Sequence, residues 1–178
     1  MNLSEGEARA RFAAARVARL ATIAPDGTPR LVPVTFAVLA GPPTEGGSAA
    51  PGLGSAAPAP APGPAPGPGP GPGSVAGGLG TVVTAVDHKP KRTTRLRRLD
   101  DIARDGRVSL LADEYDDDWS RLWWARADGV ASVVEPPDHA HAVAARALVE
   151  RYRQYRDHPP AGPAIVVTVT RWTGWSYR

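Results

Sequence analysis

The chain has 178 residues, no cysteine and a formal net charge of +3, with twenty-one Lys and Arg set against eighteen Asp and Glu. That length supports one ordinary domain with a core, and the lack of cysteine excludes disulfides, thiolate metal sites and a thiol nucleophile. The near balance of charge argues against a nucleic-acid binder, which carries a larger basic excess, and no run approaches the roughly 20 apolar residues of a membrane span.

In chain order, Ser4 and Glu7 form a capping-box pattern that opens a helix running to about Arg16, with Ala8, Phe12 and Ala15 on one side. Acidic residues come early and no long apolar run is present, so the segment reads as neither a secretory nor a transit signal, and a cytoplasmic setting is expected. "VARLATIA" (17–24) and "RLVPVTFAV" (30–38) flank "PDGTP", whose Pro-Asp-Gly core is turn chemistry, so the two runs form a β-hairpin. Pro33 cannot donate to a ladder, which places it at an edge or a bulge.

Residues 41–79 hold eleven of the twenty prolines, twelve of the nineteen glycines and one charge, Glu45. Such a stretch cannot bury enough apolar surface to offset its ordering entropy. It reads as a disordered Pro/Gly/Ala-rich insert in a hairpin loop of a single domain spanning 1–178, joining "RLVPVTFAV" to "TVVTAV" (81–86).

Next comes "TAVDHKPKRTTRLRRL" (84–99), where an apolar run gives way to dense positive charge. Leu96, Leu99, Ile102 and Ala103 recur at helical spacing, Thr93 or Thr94 is the expected N-cap, and Gly106 the stop. Lys89 and Lys91 on the loop before this helix, with free N–H groups at its positive end, form a point site for one phosphate. A nucleic-acid groove would interleave aromatic residues, and none stands between 81 and 107. Arg97, Arg98 and Arg104 read as the helix's solvated face.

"RVSLLADEY" (107–115) is a strand, and "RLWWARADGVASVV" (121–134) is either a hairpin turned at Asp128-Gly129 or one long strand bent by a glycine bulge. Asp138 caps a helix whose Ala140, Val143, Ala144, Ala147, Leu148, Tyr152 and Tyr155 form an apolar stripe. "AIVVTVTRWTGWSYR" closes the chain as a strand. The pattern is mainly β: six antiparallel strands closing into a small barrel with peripheral helices.

The acidic run Asp113, Glu114, Asp116, Asp117, Asp118 lacks the glycine and glutamate of a calcium loop and reads as a solvated turn. His88, His139, His141 and His158 lack helical ligand spacing, so no metal site is expected. Trp123 and Trp124 must point to opposite sides of a strand, one to the core and one to an interface or a flat ligand. Trp123 joins the cofactor-binding set. No triad, Walker lysine or Rossmann glycine set is present, and no catalytic side chain is assigned.

On "RVARLATIAPDGTPRLVPVTFAV", "TVVTAVDHKPKRTTRLRRLDDI", "RVSLLADEYDDDWSRLWWARADG" and "RWTGWSYR", the chain resembles the pyridoxamine-phosphate-oxidase-like flavoproteins, and among them the oxidoreductases that use the deazaflavin coenzyme F-420. The resemblance implies a six-stranded split β-barrel, the FMN-binding split barrel. It also implies a homodimer with the cofactor at the interface and hydride transfer to or from a small, planar organic substrate. FMN is the alternative cofactor, and a non-catalytic flavin-binding protein the alternative role. Carried over residue by residue, Pro33 and Val34 line the ring through backbone groups, Thr84 bonds near it, and Lys89 and Lys91, with Arg92 beside them, hold the phosphate. The chain departs from the family pattern in Pro90 between the two lysines and in the insert.

Overall fold

The computed structural model describes residues 1–39, 79–86 and 96–177. Helix α1 spans Glu5–Ala14 and opens with the expected capping box: Ser4 Oγ accepts from Glu7 N–H, and the Glu7 carboxylate accepts from Ser4 N–H at 2.8 Å. Its apolar side carries Phe12 into the interior, where the ring meets Phe36 at 4.6 Å and Trp172 at 5.3 Å between centroids. These packed rings anchor α1 over one side of the sheet.

Among the described residues seven strands form one antiparallel sheet: β1 (Ala18–Ile23), β2 (Pro29–Val34), β3 (Ala37–Leu39), β4 (Thr81–Ala85), β5 (Arg107–Glu114), β6 (Trp123–Val134) and β7 (Ala164–Ser176). The spatial order is β2-β1-β5-β6-β7-β4-β3. The run "RLVPVTFAV", expected as one strand, breaks at Thr35–Phe36: β2 pairs with β1 while β3 pairs with β4 at the opposite edge. Two residues therefore join the two edges, which they can do only if the sheet is rolled on itself. Seven strands thus replace the expected six, and the sheet is not closed, because the chain crosses the gap instead of bonding across it. A mainly β architecture with an unclosed, rolled antiparallel sheet and a few helices fits the split-barrel expectation.

Pro33 lies on β2, an edge strand, where its missing N–H costs no ladder bond. The β1–β2 turn is pinned by Asp26, whose carboxylate accepts from Thr28 N–H at 3.0 Å, with Gly27 at φ 83°. The β3–β4 pair starts at Ala37–Val83 and ends at Leu39–Thr81, so the segment between them is a hairpin connection. Residues 40–78 of that connection lie outside the described residues. Leu79, the last residue of the expected insert, is part of the fold: its N–H bonds Val169 O at 2.9 Å and its carbonyl accepts from Trp172 Nε1 at 3.1 Å.

β6 is one continuous strand, with no turn at Asp128-Gly129. The register against β7 shifts there, Asp128 facing Arg171 and Gly129 facing Val169, so Thr170 is the extra residue of a bulge. Helix α2 spans Arg97–Arg104 and starts later than expected: its N-cap is Leu96, with no side-chain cap, in place of Thr93 or Thr94, and its C-cap is Asp105, immediately before the expected stop at Gly106. Arg97 and Arg104 are exposed, while Arg98 is half-buried. Helix α3 spans His139–Arg151 and is capped by Asp138, which accepts from Ala140 N–H at 2.7 Å. Ala144, Leu148, Tyr152 and Tyr155 bury against Val83 and Ala164, covering the outside of β4 and β7, while the barrel interior holds Leu20, Leu110, Val82, Val167 and Val169. Among the described residues no helix is long and apolar enough to cross a membrane.

Candidate functional site

Strand alternation sends small and apolar residues inward on β1, β5 and β6, and sends Arg19, Ala21, Ser109, Leu111, Asp113, Trp124 and Arg126 outward. Leu31 joins them from β2 and Trp175 from β7, and together they line a groove of about 560 Å³ on the outer face of the sheet. Leu31 is 62 % exposed although it is one of the largest apolar side chains there. A contiguous apolar face of this kind marks a binding surface more often than bare solvent contact.

The groove's charges are mutually satisfied. Arg19 pairs with Asp113; Arg126 Nη2 lies 2.9 Å from Asp128 Oδ2, whose other oxygen accepts from Ser109 Oγ; Arg121 reaches Glu114 at 2.7 Å and Asp116 at 2.8 Å. Asp113, Glu114, Asp116 and Asp118 are therefore occupied in ion pairs and turn contacts, Asp118 accepting from Ser120 N–H at 3.0 Å. A floor of leucine and tryptophan with a neutralised polar rim suits a flat, largely uncharged ring.

The sequence-predicted residues fall in three places. Pro33 is exposed on β2, two residues from Leu31 on the same face and opposite Arg19 in the ladder, so it borders the groove. Val34 and Thr84 point inward; Thr84 is 3 % exposed, on the same side of β4 as Val82, and its side chain is turned away from the groove. Because the β3–β4 ladder begins at Ala37–Val83, Thr84 is level with Phe36, so Pro33, Val34 and Thr84 gather at the split. Trp123 starts β6, three strands from β2, roughly 14 Å along the sheet at the usual strand spacing. Its ring leans on the core, its Nε1 donates to Glu114 Oε2 at 3.1 Å, and the Arg11 guanidinium lies 5.8 Å from its centroid. Of the tryptophan pair Trp124 faces outward, and Trp123, packed against the core, lines the groove as well. Lys89, Lys91 and Arg92 lie outside the described residues.

Sequence reasoning missed Leu31, Leu111 and Trp175 as groove residues. The signal was available: Leu31, Leu111 and Trp175 are large apolar side chains at outward strand positions that ought to be polar.

No family model and no curated protein matches this chain. Solved structures do. A conserved hypothetical protein of Mycobacterium tuberculosis superposes with a TM-score of 0.62 at 20 % identity, over 99 % of this chain and 86 % of that one. A protein of Mesorhizobium loti described as FAD-binding gives 0.57 at 17 % identity, over 98 % and 95 %. The FAD-binding protein of Mycobacterium smegmatis gives 0.52 at 17 % identity over the whole of both chains. At these identities the likeness establishes the fold: this chain shares the architecture of two proteins described as binding FAD.

Proposed function

We propose that the chain is an oxidoreductase that binds a flavin-type cofactor in the groove beside β2, that the cofactor is the deazaflavin coenzyme F-420, and that two copies enclose it. The observation that carries the reading is the apolar groove of about 560 Å³ walled by Trp124 and Trp175 and bordered by the exposed edge residue Pro33. Its size is within the usual range for small-molecule sites, about 300–1,000 Å³. Its lining fits a tricyclic ring. Arg19, Arg121 and Arg126 each already hold a carboxylate, and the phosphate is assigned to Lys89, Lys91 and Arg92, between β4 and α2 in the sequence, on the family resemblance.

When bound, a deazaflavin supplies a hydride at C5. The chain's own residues then have three tasks. Pro33 and Val34 orient the ring along the edge strand through their backbone. Leu31, Leu111 and Trp124 exclude water. A second copy covers the apolar face that Leu31 leaves exposed. No side-chain acid is required, since hydride transfer depends chiefly on orientation and desolvation, and the substrate is a small, planar organic molecule stacked on the ring.

A second reading, an ordinary flavin (FMN or FAD) in the same groove, is supported by the two neighbours described as FAD-binding. Titration of the purified chain with coenzyme F-420, FMN and FAD, followed by absorbance, separates the readings. Binding of F-420 in preference to both flavins supports the first, preference for a flavin supports the second, and binding of none refutes both.

A further inference from the structure

The end of α3 is tied to the link between β2 and β3 by polar contacts that the apolar core does not require. Neither Thr35 nor Phe36 has a ladder partner, because the sheet is split there. Tyr152 is 2 % exposed, and its hydroxyl accepts from Phe36 N–H at 3.0 Å and from Arg151 Nε at 3.3 Å. The same oxygen stands 2.8 Å from Phe36 O and 2.9 Å from Arg16 O, and its single proton goes to one of these carbonyls at a time. The Tyr155 hydroxyl bonds Thr35 Oγ1 at 2.8 Å. Arg151 lies 5.2 Å from the Phe36 ring centroid and donates to Ala15 O.

A phenylalanine would fill the same volume, so the hydroxyls serve something besides packing. Phe36 N–H and C=O are the groups that a neighbouring strand would satisfy, and a buried backbone pair left open is costly. One side-chain oxygen here does the work of the absent strand. It acts two residues after Val34 and three after Pro33.

We propose that Tyr152 and Tyr155 are positioning residues: by fixing the backbone at Thr35–Phe36 they set the direction of β2 as it leaves the groove, and with it the presentation of Pro33 and Val34 to a bound ring. This role rests on the cofactor reading above.

The test compares the full chain with Tyr152→Phe, Tyr155→Phe and Leu148→Val. The last shortens a buried side chain of the same helix without removing a hydroxyl. Each protein is titrated with coenzyme F-420 and with FMN, its melting temperature is measured, and amide exchange is followed over residues 31–39. Expected is faster exchange in Tyr152→Phe and about tenfold weaker binding, a smaller change of the same sign in Tyr155→Phe, and a lower melting temperature with unchanged affinity in Leu148→Val. Should Tyr152→Phe fail to fold, Tyr155→Phe decides on the same readouts. Tight binding by the wild type with unaltered affinity in the tyrosine variants overturns the positioning role and leaves the cofactor reading standing. A wild type that binds neither compound, nor FAD when titrated alongside, refutes both together.

Discussion

Arg30 Nη1 donates to both oxygens of the Asp101 carboxylate, at 2.9 and 3.0 Å, and so ties α2, the helix that follows the basic stretch, to the β1–β2 hairpin. Asp101 is 2 % exposed and accepts a third bond from Thr22 Oγ1 at 3.1 Å. Arg104 adds a bond to Ile23 O at 2.5 Å. The end of the basic stretch is thereby fixed against the edge of the sheet that borders the groove.

The two halves of this pair are not equivalent. Arg30→Ala leaves a buried carboxylate with Thr22 alone and should lower the unfolding free energy by about 3 kcal/mol. Asp101→Ala leaves an arginine whose side chain is 35 % exposed and can turn to water, so its cost should be nearer 1–2 kcal/mol. Urea denaturation of the two variants checks the order, and a larger loss in Asp101→Ala would contradict it.

Gly129 lies on β6 beside the β7 bulge, where the two strands approach most closely. A Cβ there would stand 2.3 Å from Thr168 O and 3.0 Å from its carbonyl carbon, both backbone atoms that cannot move aside. Gly129→Ala should therefore cost about 2–3 kcal/mol, seen as a fall of roughly 4–12 °C in Tm. Gly6, in α1, has open space around its would-be Cβ, and Gly6→Ala should raise stability by about 0.5–1 kcal/mol. Equal responses at the two glycines would contradict the close approach of β6 and β7.

Asp105 gives a pH signature. Its carboxylate accepts from Arg107 Nη2 at 2.7 Å, Nε at 3.0 Å and the Arg107 backbone N–H at 3.1 Å, and these bonds bring its pKa down to about 2 from an ordinary 3.8. A depressed folded-state value means that the stabilisation is complete above the ordinary carboxylate range and is lost as pH falls from about 4 through 2. The contact is solvated, so the effect is small and screened by salt. Asp105→Asn should show a shallower loss of stability than the wild type between pH 4 and pH 2 at low ionic strength; identical slopes would contradict the assignment.

The elements that local chemistry specifies were legible in the sequence. Ser4 with Glu7, Asp138 and the Pro25-Asp26-Gly27 turn each act through side chains a few residues away, and each stands where expected. What depends on distant partners was not legible. "RLVPVTFAV" has unbroken strand character, and only the competition between β1 and β4 for its two halves breaks it at Thr35–Phe36. Thr94 and Leu96 both precede a helical pattern, yet the helix starts after Leu96, with Asp101 held by Arg30 and Thr22 from another part of the chain. Periodicity could place Trp123 and Trp124 on opposite faces; only the sheet order shows that Trp124 faces the groove while Trp123 packs on the core and still lines the groove.

The exposed apolar face predicts association. Light scattering should give twice the 18.6 kDa chain mass for the wild type, and Leu31→Glu, which places a charge at the β2 edge of that face, should yield monomer with an unchanged circular dichroism spectrum. Trp124→Ala should weaken the dimer in the same sense. A monomeric wild type would leave the groove open on one side and contradict enclosure by a second copy.

The decisive measurement is the absorbance titration of the purified wild-type chain with coenzyme F-420, run beside FMN and FAD and repeated on Lys89→Ala and Lys91→Ala. The expected result is saturable F-420 binding at micromolar concentration or tighter, corresponding to about −8 kcal/mol or better, and a loss of roughly 10- to 150-fold in each lysine variant as one charge-assisted contact is removed. Preference for FMN or FAD would transfer the site to the ordinary flavins, and saturable binding of none of the three would contradict a flavin-type cofactor site in this protein.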